Sequence, residues 1–311
     1  MGGSSGGSFG FRISNDTEGL QRQAIENAAV EGFQMRLSEI FGRLLTTYND
    51  RDHVLVSKRL EMILAALKET HDGPFDRLFG GSVAKHTYVD GLSDIDCLIK
   101  LNDSTLHGHT PAAALGSMAD IIRQTVEGAT VEVGSMAVTV RYGDGMELQL
   151  LPAVDDGSGR LQVPAGNGTD WSRINPQTFR TVLAQRNEMC GQKLVPTIKL
   201  AKAILGTLPE GGMLSGYHLE SLAIEAFRGY DGVKSTAAML PTFFERARTL
   251  VLEPIRDSTG QSVHVDADLG PPNSSERQEA SFTLGRLARQ MRTASVVGSE
   301  ARWLDFFGLE E

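Results

Sequence analysis

The chain has 311 residues, 41% of them hydrophobic and 22% charged, with a net charge of −9. That acidic balance argues against a protein that coats long DNA or RNA, because neutralising phosphates needs clustered Lys and Arg. An aromatic content of 6% advertises no broad base-stacking surface, although a local basic pocket for one triphosphate remains compatible. No apolar run approaches the roughly 18 residues of a membrane span, so no membrane contact is expected. Cys97 and Cys190 are too few for a disulfide framework or a four-ligand zinc site. They read as reduced core thiols of a cytoplasmic protein.

Residues 1–14 begin Gly/Ser-rich and read as a flexible tail. From 15 to 49 apolar residues recur at helical spacing, and a second helix spans 52–70, stopped by His71-Asp72-Gly73-Pro74. The pattern then turns to period two. Strands are expected at 77–79, 95–99, 130–133, 137–142 and 146–151, with a helix over 111–126 between them. Tyr142-Gly143-Asp144-Gly145 reads as a turn. Residues 164–170 read as a loop. Helices are expected at 176–189, 192–205, 216–227, 241–252 and 276–293. His264, Asp266 and Asp268 alternate on an apparent strand and read as a solvated strand face. The order of elements gives an α+β chain with a mixed-sheet lobe over 15–165 and a helical lobe over 166–311. The long first helix is expected to brace both.

The informative stretch is Phe79-Gly80-Gly81-Ser82 followed, after eleven residues, by Asp94-Ile95-Asp96-Cys97. Glycines after a short strand let backbone approach a phosphate closely, and Ser82 adds a hydroxyl donor. Asp94 and Asp96 alternate with Ile95 and Cys97, so a strand puts both carboxylates on one face and the apolar pair in the core. Two such carboxylates repel unless a cation lies between them. Mg2+ or Mn2+ with triphosphate oxygens suits that arrangement.

This string resembles the Gly-Ser and Asp-x-Asp signature of the polymerase-β-like nucleotidyltransferases. Within them the chain is similar to the bacterial CD-NTase family, relatives of cyclic GMP–AMP synthase and oligoadenylate synthase found in anti-phage CBASS systems. The resemblance is specific over about 79–227 and weaker outside. Leu148-Gln149-Leu150-Leu151-Pro152-Ala153 resembles the family's third-carboxylate strand. Trp171-Ser172-Arg173-Ile174-Asn175-Pro176 resembles its linker to the helical lobe, with Trp171 a packing anchor. Leu194-Val195-Pro196-Thr197-Ile198-Lys199 and Ser215-Gly216-Tyr217-His218-Leu219-Glu220 resemble its triphosphate-lysine helix and Ser-Tyr helix start.

The resemblance implies a polymerase-β-like lobe plus a helical lobe. It implies that Gly81, Ser82 and Lys199 hold the triphosphate and that Tyr217 stacks on a base. Ribonucleoside triphosphates, ATP among them, would be the substrates, a cyclic di- or trinucleotide the product, and a CBASS accessory protein a compatible regulator. Two departures stand out. Gly216 separates Ser215 from Tyr217, where the family joins serine directly to tyrosine. Gln149 occupies the position where relatives carry the third acid. Glu147, two residues earlier on the same strand face, is the candidate replacement, with Gln149 an auxiliary contact. Lys202 reads as a solvated helix lysine, and His86 and His218 as structural or exposed. Two other outcomes stay open: a nucleotidyltransferase with another acceptor, and a catalytically silent nucleotide-binding scaffold.

Overall fold

A computed structural model describes residues 14–48, 53–70, 76–79, 95–101, 108–155, 160–165, 168–174, 176–209, 214–255, 266 and 269–309. Asp94, Gly81, Ser82, His86, His264 and Asp268 lie outside the described residues. Helices α1 (Ser14–Tyr48) and α2 (His53–Thr70) come first. They lead into strands β1 (Asp76–Phe79) and β2 (Ile95–Lys100), helix α3 (Pro111–Thr125), and strands β3 (Ala129–Val133), β4 (Val138–Tyr142) and β5 (Glu147–Asp155). Two short strands, β6 (Leu161–Pro164) and β7 (Trp171–Ile174), precede the helices. Those are α4 (Pro176–Met189), α5 (Leu194–Gly206), α6 (Gly216–Ala226), α7 (Thr236–Leu250), α8 (Ser275–Val297) and α9 (Glu300–Asp305).

The strands form one mixed sheet in the order β1-β2-β5-β4-β3, with β6 and β7 added beyond the end of β5. β2 and β5 run parallel, while the other pairs are antiparallel. A parallel pair needs a crossover, and α3 with the β3–β4 hairpin supplies it. One face of the sheet buries Cys97, Ile99, Val138, Val140, Leu148 and Leu150 against Leu60, Ile63 and Leu67 of α2 and Leu115, Met118 and Ile122 of α3. Alternate residues of β5, Glu147 and Gln149, are partly exposed, as strand geometry requires.

The hydrophobic pattern locates every principal element, and the mixed sheet followed by helices agrees with the α+β class. Four details differ from the sequence expectations. The stretch taken as loop and linker forms the β6–β7 hairpin, with Pro164 opposite Trp171. The Trp171 indole donates to the His109 carbonyl at 3.2 Å, fixing the hairpin to the entry of α3. Helix α7 begins at Thr236, not at Pro241, because the Ser235 hydroxyl caps the Ala238 amide at 3.2 Å. Pro241 therefore sits inside the helix rather than at its first turn, where proline is usually favoured. Helix α9 was not expected. It buries Trp303 edge-on against Phe41, with ring centroids 5.5 Å apart. That contact also shows where α1 packs: its buried residues Phe33, Leu37, Ile40 and Phe41 belong to the helical core.

The fourth correction concerns Asp266, read as part of a solvated strand face. It is a fully buried residue in a turn. Its carboxylate accepts from the equally buried Arg277 guanidinium at 2.6 Å. Arg277 also donates to the carbonyls of Gly270, Val251 and Asp266. A charge placed there without a partner is strongly unfavourable, so the pair fixes Val251, Asp266 and Gly270 to α8. Among the described residues no helix is long and apolar enough to cross a membrane.

Asp266→Asn should strand the Arg277 charge in the core and lower unfolding free energy by about 3–5 kcal/mol. The apolar double replacement Asp266→Leu with Arg277→Met should lose much less. Denaturant titration of the two variants measures the difference.

Candidate active site

The sheet side of the site is set by strand register. The parallel β2–β5 pairing sets Asp96 beside Gln149 and Ile95 beside Leu148. Gln149 in turn faces Thr139 of β4, and Glu147 faces Arg141. Since Leu148 and Leu150 enter the core, Glu147 and Gln149 share the opposite face. Here Arg141 reaches two carboxylates, Glu147 through Nε at 2.6 Å and Glu132 through Nη1 at 2.5 Å. Hydrogen bonds to Glu132 and then to Glu147 hold the guanidinium above its ordinary pKa. The residues along β4 and β5 thus form a polar row ending beside Asp96.

The turn before Glu147 is held separately. Arg59 of α2 lies 3.8 Å from the centre of the Tyr142 ring and pairs with Asp144 at 2.8 Å. Asp144 also accepts from the Met146 amide at 3.2 Å. Arg59 and then that amide hold its carboxyl below the usual carboxylate pKa. Gly145, at φ +88°, supplies the left-handed residue that the turn needs. Through these contacts α2 fixes where β5 begins.

On the helical side, Lys199 and Lys202 lie three apart on α5 and therefore near one another. Lys199 is buried, and burial first and the Lys202 charge second lower its pKa. Lys202, expected in solvent, instead lies 9% exposed and pairs at 2.9 Å with Glu220, whose side chain is 1% exposed. The reason is the helix itself, Leu-Val-Pro-Thr-Ile-Lys-Leu-Ala-Lys-Ala-Ile-Leu-Gly, which is apolar almost all round and leaves its lysines little solvated face. Lys202 crosses the start of α6. A Cβ on Gly216 would meet its Nζ at 3.4 Å. The glycine between Ser215 and Tyr217 thus makes room for the lysine.

Ser215 caps α6, its hydroxyl oxygen accepting from the His218 amide at 3.1 Å. A hydroxyl that accepts in this way still has a proton to donate. Tyr217 is partly exposed, and Phe179 of α4 covers part of its ring at a centroid distance of 4.6 Å and a tilt of 46°. His218 is buried, with Nε2 3.4 Å from Asp266. The structure therefore brings together Lys199, Lys202, Glu220, Ser215 and Tyr217 around one helix start. It brings Gln149 to Asp96 and Glu147 to Arg141 on the sheet. Among the described residues no three metal-ligating side chains converge. Cys97 and Cys190 are both buried, and neither is in a disulfide.

Sequence reasoning passed over Arg141, Glu220 and Phe179. Arg141 carried a signal in its alternation with Val140 along β4. Glu220 carried one as the lone acid in the first turns of an apolar helix. The contact of Phe179 depends on how α4 meets α6, which no local pattern encodes.

This architecture is that of the polymerase-β-like nucleotidyltransferases. Residues 35–187 match the family described as the Second Messenger Oligonucleotide or Dinucleotide Synthetase domain. That match covers just under half of the chain, and the fold around it is the one that solved CD-NTases share. Among solved structures, CdnG of Bradyrhizobium diazoefficiens in complex with GTP is similar at 16% identity and a TM-score of 0.63, over 82% of this chain and 88% of that one. CdnC of E. coli with ATP is similar at 16% identity and a TM-score of 0.64, over 83% and 91%. The Vibrio cholerae cyclic AMP-GMP synthase DncV is similar at 10% identity and a TM-score of 0.61, over 95% and 90%. None of the curated proteins matches the sequence.

Lys199→Met should weaken triphosphate binding by about 1.5–3 kcal/mol, the cost of one charge-assisted contact, without lowering stability. The pH dependence follows from the lowered pKa of Lys199. Between that value and the ordinary lysine value near 10.4, the unfolded chain binds more protons, so stability rises with pH. Wild type should therefore gain stability relative to Lys199→Met across that alkaline window, while its nucleotide affinity falls. Thermal melts and fluorescent-nucleotide titrations at paired pH values measure both.

Proposed function

We propose that this nucleotidyltransferase joins ribonucleoside triphosphates, ATP among them, into a cyclic di- or trinucleotide that serves as a second messenger in anti-phage defence. The observation that carries the reading is the register of Asp96 against Gln149 on a polar sheet row, in a domain of the second-messenger synthetase family. The solved relatives bound to GTP and ATP support triphosphates as substrates. The cyclic AMP-GMP synthase supports a cyclic product.

The donor set suits a hard dication, since carboxylates and an amide carbonyl offer only oxygen. Asp94, Asp96 and Glu147 are assigned as holding Mg2+ or Mn2+, with Gln149 as an auxiliary oxygen. When bound, the ion supplies charge neutralisation at the α-phosphate and lowers the pKa of the attacking ribose hydroxyl. Gly81 and Ser82 are assigned to the triphosphate through backbone amides and a hydroxyl. Lys199 is assigned to its far oxygens, with the Ser215 hydroxyl donating beside it. Burial lowers the pKa of Lys199 and an anion beside it raises it again, so binding and protonation reinforce each other. Tyr217, backed by Phe179, offers an aromatic ring for a base. In-line attack then needs positioning and charge neutralisation rather than a protein nucleophile.

A second reading has one observation in its favour. With Gln149 beside Asp96 and Glu147 held by Arg141, the third acid could be absent, leaving a silent nucleotide-binding scaffold. Incubation with all four ribonucleoside triphosphates and Mg2+ or Mn2+, followed by mass spectrometry, separates the two. A phosphatase-resistant cyclic product supports synthesis. Nucleotide binding with no product supports the scaffold.

Asp94→Asn with Asp96→Asn should abolish product and leave the melting temperature unchanged or raised, because the repulsion between the carboxylates is relieved. Product within tenfold of wild type would remove the assignment. Glu147→Gln should also lose most turnover, and Gln149→Ala only part of it, in the same assay.

A further inference from the structure

The polar row on the sheet contains a feature that metal binding does not by itself require. Arg141 joins two acids on opposite sides of β4, and it does so through different edges of one guanidinium. Nε serves Glu147 at 2.6 Å and Nη1 serves Glu132 at 2.5 Å. A guanidinium can do this because its donors are fixed in a planar fork. If Glu147 turned away, Arg141 would keep Glu132 and would not be left without a carboxylate. Glu147 could therefore leave at modest cost, and the exposure of the partners points the same way. The side chains of Arg141, Glu132 and Glu147 are 46%, 58% and 23% exposed, so solvent weakens the pairing.

We propose that Arg141 is a latch on Glu147: its guanidinium competes with a divalent cation for that carboxylate and so sets the metal concentration at which the site fills. This rests on the assignment of Glu147 as the third acid. A metal ligand must be free to turn its oxygen to the ion, and a dication beside Glu147 repels the guanidinium. The two cations therefore exclude one another at one carboxylate. Empty, the strand end is neutralised by Arg141. Filled, Arg141 is released to Glu132 alone. With neutral Gln149 beside Asp96, the charge available to the ion rests more on Glu147, and competition from Arg141 weighs more.

The test is titration of Mn2+ alone into the whole protein, with free metal read by electron paramagnetic resonance, and a thermal melt of each variant. Arg141→Met should tighten Mn2+ binding by roughly two- to fivefold, the scale of one partly exposed ion pair, while lowering or leaving unchanged the melting temperature. Glu132→Gln should weaken binding, since Arg141 then has only Glu147. In a Glu147→Gln background, Arg141→Met should change nothing. The proposal is overturned if Arg141→Met binds Mn2+ no tighter than wild type while Glu147→Gln binds it more weakly. Glu147 would then be a ligand without a latch. Equal tightening with and without Glu147 would reveal a general charge effect and also overturn it. If Glu147→Gln leaves Mn2+ binding unchanged, the third-acid assignment itself fails, and the latch with it.

Discussion

Parallel pairing of β2 with β5 cannot be made by a tight turn, because the chain must cross from the end of one strand to the start of the next. In this protein the crossover is α3 with the β3–β4 hairpin, packed on α2 over a single apolar face. Cys97 and Ile99 on β2, and Leu148 and Leu150 on β5, are buried in that core. A shift of one residue would turn either set out to solvent, so the core holds the register. The register is also what sets Asp96 beside Gln149 and Glu147 opposite Arg141. The chemistry of the sheet side therefore depends on hydrophobic packing against its opposite face.

The helical side solves a different problem. It holds charged groups where water is scarce, and each is positioned by a specific partner. Lys202 pairs with Glu220, and Arg277 with Asp266. Both arrangements converge on the start of α6: the first through Gly216, the second through His218, which lies 3.4 Å from Asp266. Buried ion pairs contribute little net stability. Their value here is geometric, since they fix the turn that presents Ser215 and Tyr217. Burial lowers the pKa of Lys199, next to Lys202 on the helix, so an anion placed beside it would favour its charge.

Much of the fold was legible because it is written in periodicity. The shift from helical spacing to alternation after residue 75, and back after 176, follows the change from helices to strands and back. Strand β2 was legible for the same reason, as Asp96 alternating with Ile95 and Cys97. What escaped was decided by tertiary contact. Asp266 looked like one member of a polar alternation, and only Arg277, far away on α8, makes it a buried anchor. Lys202 looked like a surface lysine until Glu220 claimed it. The β6–β7 hairpin was hidden by Pro164 and by a glycine-rich connection, which argue for loop unless the partner strand is known. Helix α7 was misplaced because Pro241 is a stronger local signal than the Ser235 cap that starts it.

The proposed function needs one substrate to reach both the β2–β5 strand pair and the α5–α6 helix pair. The most direct test is a crystal structure with Mn2+ and a non-hydrolysable ATP analogue, with the metal located by anomalous scattering. The account requires an anomalous peak between β2 and β5, bounded by Asp96 and Glu147, with the triphosphate reaching Lys199 and the adenine on Tyr217. A peak bounded by Asp96 without Glu147, or a nucleotide whose phosphates lie away from Lys199, would contradict it.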